Sequence, residues 1–112
     1  MMQTQLRKGV LEMCILGLLK QQDSYAYDMV QTLGKHLPIS EGTIYPLMRR
    51  LQSQQWVEAY LQESSEGPAR KFYRLTDLGK AELKSMQSQW QDFANSVNHF
   101  LNQDPINTGD HS

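Results

Sequence analysis

The sequence of 112 residues has few of the features that mark secreted or membrane proteins. Its single cysteine, Cys14, has no partner for an intramolecular disulfide and lies in an apolar run, which favours a core position. The densest apolar segment covers residues 10–19 and includes Glu12, whereas a membrane-spanning helix needs about 20 apolar residues. No small-residue cleavage site follows that segment, so no signal peptide is expected. These absences predict a cytoplasmic protein without a membrane partner.

Patterns typical of enzymes are also absent. His36, His99 and His111 lie far apart in the sequence. The chain has no metal-ligand spacing, glycine-rich phosphate loop or nucleophile elbow. We therefore expect no enzyme, no metal site and no cofactor.

The formal net charge is only −1, from 11 basic and 12 acidic residues, but the charges are unevenly distributed. Residues 1–75 carry nine basic and seven acidic residues, whereas residues 76–112 carry two and five. A polyanionic partner such as double-stranded DNA would therefore meet the first part of the chain.

Hydrophobic periodicity and capping residues predict a mainly α-helical fold with a small β-hairpin. Ser24, Ser40 and Thr76 are the predicted N-caps of the second, third and last helices. Three helices are predicted first: Thr4–Lys20, Ser24 to about His36, and a third after Ser40. Two strands follow, Trp56–Leu61 and Arg70–Leu75, and then a last helix from Thr76 to about Asn102. This order describes a winged helix-turn-helix domain over residues 1–75, a long C-terminal dimerisation helix over 76–102 and a flexible tail over 103–112.

The third helix has a polar outer face. Its apolar residues recur at helical spacing and predict an inner stripe of Ile44, Leu47, Met48 and Leu51. The other side carries hydrogen-bonding groups and two cations: Ser40, Thr43, Tyr45, Arg49 and Arg50. Arginine can hold a guanine edge or a phosphate through two hydrogen bonds. The alternative is a solvated helix face with ordinary surface arginines.

The second strand of the hairpin is basic. Strand alternation places Arg70, Phe72 and Arg74 on one face and Lys71, Tyr73 and Leu75 on the other. We expect at least one of these cations to reach a DNA phosphate, although basic outer strand faces also occur in proteins that bind nothing.

The last helix carries an apolar stripe with heptad spacing. Its members are 3, 4, 3, 4 and 3 positions apart: Leu83, Met86, Trp90, Phe93, Val97 and Phe100. This spacing is typical of packing between two helices, and a helix of about 26 residues is roughly 39 Å long. The stripe therefore predicts a homodimer interface, the alternative being packing on the chain's own core. The first helix is apolar nearly all round, which also favours a second buried face.

Two segments resemble motifs of the PadR family of bacterial transcriptional regulators, especially its short members. Residues 40–51, SEGTIYPLMRRL, are similar to the family's recognition helix, and residues 67–79, GPARKFYRLTDLG, are similar to its wing and the junction that follows. The resemblance covers roughly residues 5–102. It implies a homodimeric repressor that binds an inverted-repeat operator and releases it when a small molecule binds. It places DNA contacts on Ser40, Thr43, Tyr45, Arg49, Arg50, Arg70 and Lys71.

The resemblance also implies an effector site. In short members that sense drugs, a tryptophan of the last helix lines a pore between subunits and stacks on planar aromatic ligands. Trp90 matches that residue, Met86 and Ala94 share its helix face, and Met13 is an expected neighbour. A plain packing role for Trp90 is the alternative.

Three positions depart from the family pattern. Gln55 stands where glycine usually ends the recognition helix, which predicts a strained or differently shaped helix end. Pro68 replaces a frequent wing arginine, and Ala26 replaces a frequent glycine. Two other functions fit the same fold: a winged-helix module that binds protein, and a ligand-binding dimer without DNA affinity.

Overall fold

The computed structural model describes residues 4–103, with side chains described from Gly9 onward. The predicted tail, residues 103–112, lies outside this range except for Gln103. The elements are α1 (Thr4–Gln21), β1 (Ser24–Tyr25), α2 (Ala26–Leu33), α3 (Glu41–Ser53), β2 (Val57–Ser64), β3 (Gly67–Leu75) and α4 (Asp77–Leu101). They form the predicted winged helix-turn-helix with a long last helix.

The predicted caps of α3 and α4 lie where expected. Ser40 is the N-cap of α3 in an extended conformation, but its hydroxyl contacts the Thr43 hydroxyl at 3.3 Å and caps no backbone N–H. Thr76 caps α4, because its Oγ1 accepts a hydrogen bond from the Gly79 N–H at 2.9 Å. A side-chain cap therefore stabilises the start of α4, whereas Ser40 holds the N-cap position of α3 without a capping hydrogen bond.

The predicted start and end of the second helix were wrong. Ser24 is not an N-cap but part of the short strand β1, where it pairs with Tyr73 of β3. Tyr25 is the N-cap of α2, and the helix ends at Leu33 rather than near His36. The backbone groups of Ser24 are used by the sheet, so the helix starts two residues later.

The predicted hairpin is part of a three-stranded antiparallel sheet in the order β1-β3-β2. Both of its strands are longer than predicted. The face assignment is confirmed: Tyr73 and Leu75 are buried against the core, whereas Arg70 and Arg74 are exposed on the other face.

The core lies between α1, α2, α3 and the inner face of the sheet. Its fully buried large side chains are Ile15, Leu16, Met29, Ile44, Met48 and Leu51. The other side of α1 is covered only in part, because Met13, Cys14 and Leu18 are half-buried. In α4, Leu83 is the last fully buried residue of the apolar stripe.

A tight junction joins the end of α3 to the start of α4. Gln55, which follows α3, has a φ of 64°, in the left-handed region that favours glycine. Thr76 Oγ1 donates to the Gln55 carbonyl at 2.7 Å, and the Thr76 N–H donates to the Trp56 carbonyl at 3.0 Å. The strained helix end predicted from Gln55 is therefore present, and hydrogen bonds from Thr76 hold it.

Candidate nucleic-acid interface

The outer face of α3 is exposed along its length. Ser40, Tyr45 and Arg49 are exposed, and Thr43 is half-buried. The helix continues through Pro46, which is also exposed. The side of α3 opposite the buried stripe therefore offers hydroxyl groups and a guanidinium to a partner.

The two arginines of α3 differ in their surroundings. Arg49 makes no ion pair with any residue of the described chain. In contrast, Arg50 Nε donates to Glu12 Oε2 at 2.6 Å, so its side chain is directed at α1. Arg49 is therefore the α3 cation that is free to meet a phosphate or a base.

A shallow groove connects α3 with the wing and the start of α2. Its volume is about 160 Å³, and its lining residues are Tyr25, Ala26, Tyr27, Tyr45, Arg70, Lys71 and Tyr73. The structure thus brings together three of the predicted DNA contacts: Tyr45, Arg70 and Lys71. Tyr25 and Tyr27 were missed by the sequence reasoning. Tyr27 is 54% exposed on α2.

Aromatic rings contact all three cations of β3, including Arg74, whose guanidinium lies 4.7 Å from the Tyr60 ring centroid. The Arg70 guanidinium lies 4.8 Å from the Tyr25 ring centroid and donates to the Tyr25 hydroxyl at 3.0 Å. Lys71 Nζ lies 5.6 Å from the Tyr73 ring centroid. Neither cation has an acidic partner within the described residues. Arg74 differs, because it pairs with Glu58 at 2.8 Å.

Tyr73 of the wing lies close to groups of α3, since Tyr45 and Tyr73 line the same groove. Burial raises the pKa of the Tyr73 hydroxyl above its ordinary value, and the nearby Tyr45 raises it further. The positive charge of Arg49 acts in the opposite direction. Tyr45 and Arg49 of α3 therefore lie close enough to Tyr73 to affect its ionisation.

A second cleft lies between α1 and α4, away from this groove. Its volume is about 320 Å³, and its lining residues are Gly9, Val10, Glu12, Met13, Met86, Gln89, Trp90 and Phe93. Three predicted effector residues, Met13, Met86 and Trp90, thus share one cleft. Ala94, the fourth, is half-buried on α4 but does not line it. Glu12 was not predicted here, because an acid in an apolar helix gives no signal for its partner.

The rest of the apolar stripe on α4 faces solvent in the single chain. Trp90, Phe93, Val97 and Phe100 are all exposed, from 37% at Val97 to 75% at Phe100. The rings of Trp90 and Phe93 contact each other, with centroids 6.5 Å apart. A stripe of large apolar side chains is typical of a surface that another helix covers.

Two negative findings apply to the described residues, 4–103. No group of three or more His, Cys, Asp or Glu side chains among them is arranged to hold a metal ion. No helix within that range has both the length and the apolar content to cross a membrane.

Comparison with known proteins identifies the family. The model of the PadR-like transcriptional regulator family matches residues 15–85, which include α3 and the wing. The chain belongs to the PadR-like family of transcriptional regulators. The recognition based on residues 40–51 and 67–79 is thereby confirmed.

Similar proteins agree with this assignment. A PadR-like transcriptional regulator from Bacillus cereus is 40% identical, with a TM-score of 0.82 over 90% of this chain and 100% of that one. A PadR family regulator from Eggerthella lenta is 36% identical, with a TM-score of 0.77 over 89% and 88% of the two chains. An uncharacterised protein from Lysinibacillus sphaericus is 31% identical over 90% of this chain and 96% of its own length.

Membership of the PadR-like family makes this chain a DNA-binding regulator with a winged-helix fold and not an enzyme. PadR regulators bind DNA and typically form dimers. The expectation that the chain is a regulator is therefore confirmed at this level.

Proposed function

We propose that this PadR-like regulator is a repressor that binds an inverted-repeat operator as a homodimer and is released by a planar aromatic or hydrophobic effector. The proposal rests mainly on the exposed, unpaired Arg49 beside the groove that carries Tyr45, Arg70 and Lys71. A protein of this kind would act in the cytoplasm, where bacterial DNA lies.

In the proposed complex α3 enters the major groove and the wing lies along the backbone. Arg49 and Tyr45 would face base edges or phosphates, with Ser40 and Thr43 at the N-terminus of α3. Arg70 and Lys71 would neutralise phosphates next to that groove. Arg50 was expected in the same set, but in the proposed complex it stays paired with Glu12 and positions α3 instead of contacting DNA.

Two copies would join through α4 and the exposed side of α1. Burying Trp90, Phe93, Val97 and Phe100 removes a large apolar surface from water, at roughly 25 cal/mol for each Å². A twofold axis through this interface would set the two α3 helices on successive major grooves, about 34 Å apart. Such a dimer reads an inverted repeat because its own symmetry matches that of the site.

The DNA assignment is tested with Arg49→Ala in a gel-shift titration against a duplex selected from random sequence. The loss of one phosphate or base contact should weaken binding about tenfold, in line with roughly 1–3 kcal/mol for such contacts. The matched control is Arg74→Ala, which removes the same charge from the outer sheet face, where Glu58 already pairs with it. Equal losses in the two variants would contradict the recognition-helix assignment.

The dimer and the effector are tested separately. Sedimentation at increasing concentration should show a dimer, and Phe93→Glu should give a monomer because it places a charge in the proposed interface.

A planar aromatic dye should quench Trp90 fluorescence in a Trp56→Phe background more strongly in the folded protein than in urea. Equal quenching in the two states would argue against an effector site at Trp90.

A further inference from the structure

Glu12 is the acid that links the α1–α4 cleft to the DNA-reading helix. Glu12 is only 5% exposed to solvent, and its Oε2 accepts a hydrogen bond from Arg50 Nε at 2.6 Å. It also lines the cleft that Met13, Met86, Trp90 and Phe93 surround. The Glu12 residue therefore lines the cleft and also pairs with Arg50 of α3.

The carboxylate is only partly satisfied. Arg50 binds one oxygen, and no residue of the described chain donates a hydrogen bond to the other, Oε1. An acid that is nine-tenths buried is expected to have its oxygens paired, since an unpaired buried charge is costly. Glu12 can therefore accept a further hydrogen bond or pair with a cation, and it does so in a cleft whose other walls are apolar and aromatic.

We propose that Glu12 selects aromatic cations for this cleft and that a bound cation competes with Arg50 for its carboxylate, which weakens DNA binding by α3. The inference deepens the proposed effector-released repressor and rests on it. Trp90 and Phe93 offer ring faces to a cation, and Glu12 supplies the opposite charge in a partly desolvated site. A neutral arene of the same shape gains only the apolar contacts.

Competition at Glu12 reaches α3 through Arg50. The Glu12–Arg50 bond is an ion pair that holds α3 to α1, and Arg50 is the neighbour of Arg49 in the chain. When a cation takes part of the Glu12 charge, Arg50 is held less firmly and α3 loses a fixed contact on its side facing α1. Without the Glu12–Arg50 pair, α3 must first be ordered before Arg49 can dock on DNA. The free-energy cost of this ordering lowers the affinity for DNA.

The charge selection is tested without DNA, by calorimetric titration with N-methylacridinium and with acridine, which is neutral at pH 7.5. The wild-type protein should bind the cation about tenfold more tightly than the neutral ring. Glu12→Gln should lose this preference and keep its acridine affinity. Arg50→Gln should bind the cation more tightly than the wild type, because the competitor is gone.

The coupling is tested by gel shift with and without N-methylacridinium. Glu12→Gln removes a negative charge, which by itself would raise the affinity for DNA. We expect the affinity of this variant to fall about fivefold instead, because α3 is no longer held in position. The cation should lower the affinity of the wild type by a similar factor and leave Glu12→Gln unchanged. Glu58→Gln is the matched control, because it breaks the exposed pair with Arg74 and should respond like the wild type. A dye that acted through DNA alone would release all variants equally.

The outcomes separate this inference from the proposed function. Equal binding of the two acridines, or no binding of either, would overturn charge selection by Glu12. Unchanged or higher DNA affinity in Glu12→Gln would overturn the coupling. Failure of the wild type to bind any duplex would instead overturn the proposed repressor, while the calorimetry would still report on Glu12. Thermal unfolding of each variant shows that it is folded.

Discussion

Gly79→Ala perturbs the junction between α3 and α4 at its narrowest point. A Cβ on Gly79 would lie 2.8 Å from Leu75 Cδ1 and 2.9 Å from the Trp56 carbonyl carbon, and closer still to the Trp56 carbonyl oxygen. Carbon atoms pack at about 3.5–4.0 Å. The start of α4 must therefore move away from Trp56 by roughly 1 Å to accept one methyl group.

The expected loss of stability follows from what this shift breaks. Overpacking costs about 1–3 kcal/mol. Separation of α4 from Trp56 also stretches the hydrogen bond from the Thr76 N–H to the Trp56 carbonyl, now 3.0 Å, which is worth about 1 kcal/mol. The higher helix propensity of alanine returns up to about 1 kcal/mol. The net destabilisation is about 1–4 kcal/mol, or roughly 5–20 °C in Tm for a chain of this size.

Urea unfolding followed by circular dichroism measures this difference at one fixed protein concentration, because a dimer's stability depends on concentration. The matched control is Gly17→Ala in α1, where a Cβ meets no atom within 4 Å. That variant should be more stable by about 0.5–1 kcal/mol, since glycine is unfavourable inside a helix. If Gly79→Ala were as stable as the wild type, the close approach of α4 to Trp56 would be refuted.

Two further predictions concern single positions. Gln55→Gly should raise the free energy of unfolding by about 1 kcal/mol, because Gln55 has a φ of 64° and glycine adopts that conformation without strain. Gln54→Gly, at a φ of −80°, is the control and should give no gain in the same urea titration. Burial raises the pKa of the Cys14 thiol, so at pH 8 the folded protein should react with iodoacetamide several-fold more slowly than the urea-unfolded chain. Similar rates in the two states would show that Cys14 is not protected.

Features set by neighbouring residues could be predicted from the sequence. The inner stripe of α3 follows helical spacing, so Ile44 and Met48 were expected in the core and are buried. The start of α4 follows from Thr76, whose hydroxyl caps the helix three residues ahead. The alternation that buries Tyr73 and exposes Arg74 is likewise a property of the strand itself.

Features that depend on distant partners could not be predicted. Ser24 has the chemistry of an N-cap, but Tyr73, far along the chain, recruits it into a strand. On the helical wheel Arg50 flanks the outer face of α3, and its long side chain reaches Glu12, 38 positions away, instead of solvent. Neither partner is visible from local spacing, because both are chosen by how the helices and the sheet pack together.

Two links of different kinds connect α4 and its cleft to the DNA-reading helix. At the junction of Gln55, Thr76 and Gly79, the Thr76 hydroxyl donates to the Gln55 carbonyl and accepts from the Gly79 N–H, and the packing is close. In the proposed mechanism, a tilt of α4 would therefore be passed on to the end of α3. The Glu12–Arg50 pair is a single charged contact, which a bound cation would weaken without moving α4 under the proposal above. In the proposed mechanism, an uncharged ligand in the cleft would act only through the first link, by changing the angle between the two subunits. A cation can use both, so for equal occupancy it should release DNA more completely than a neutral arene of the same shape.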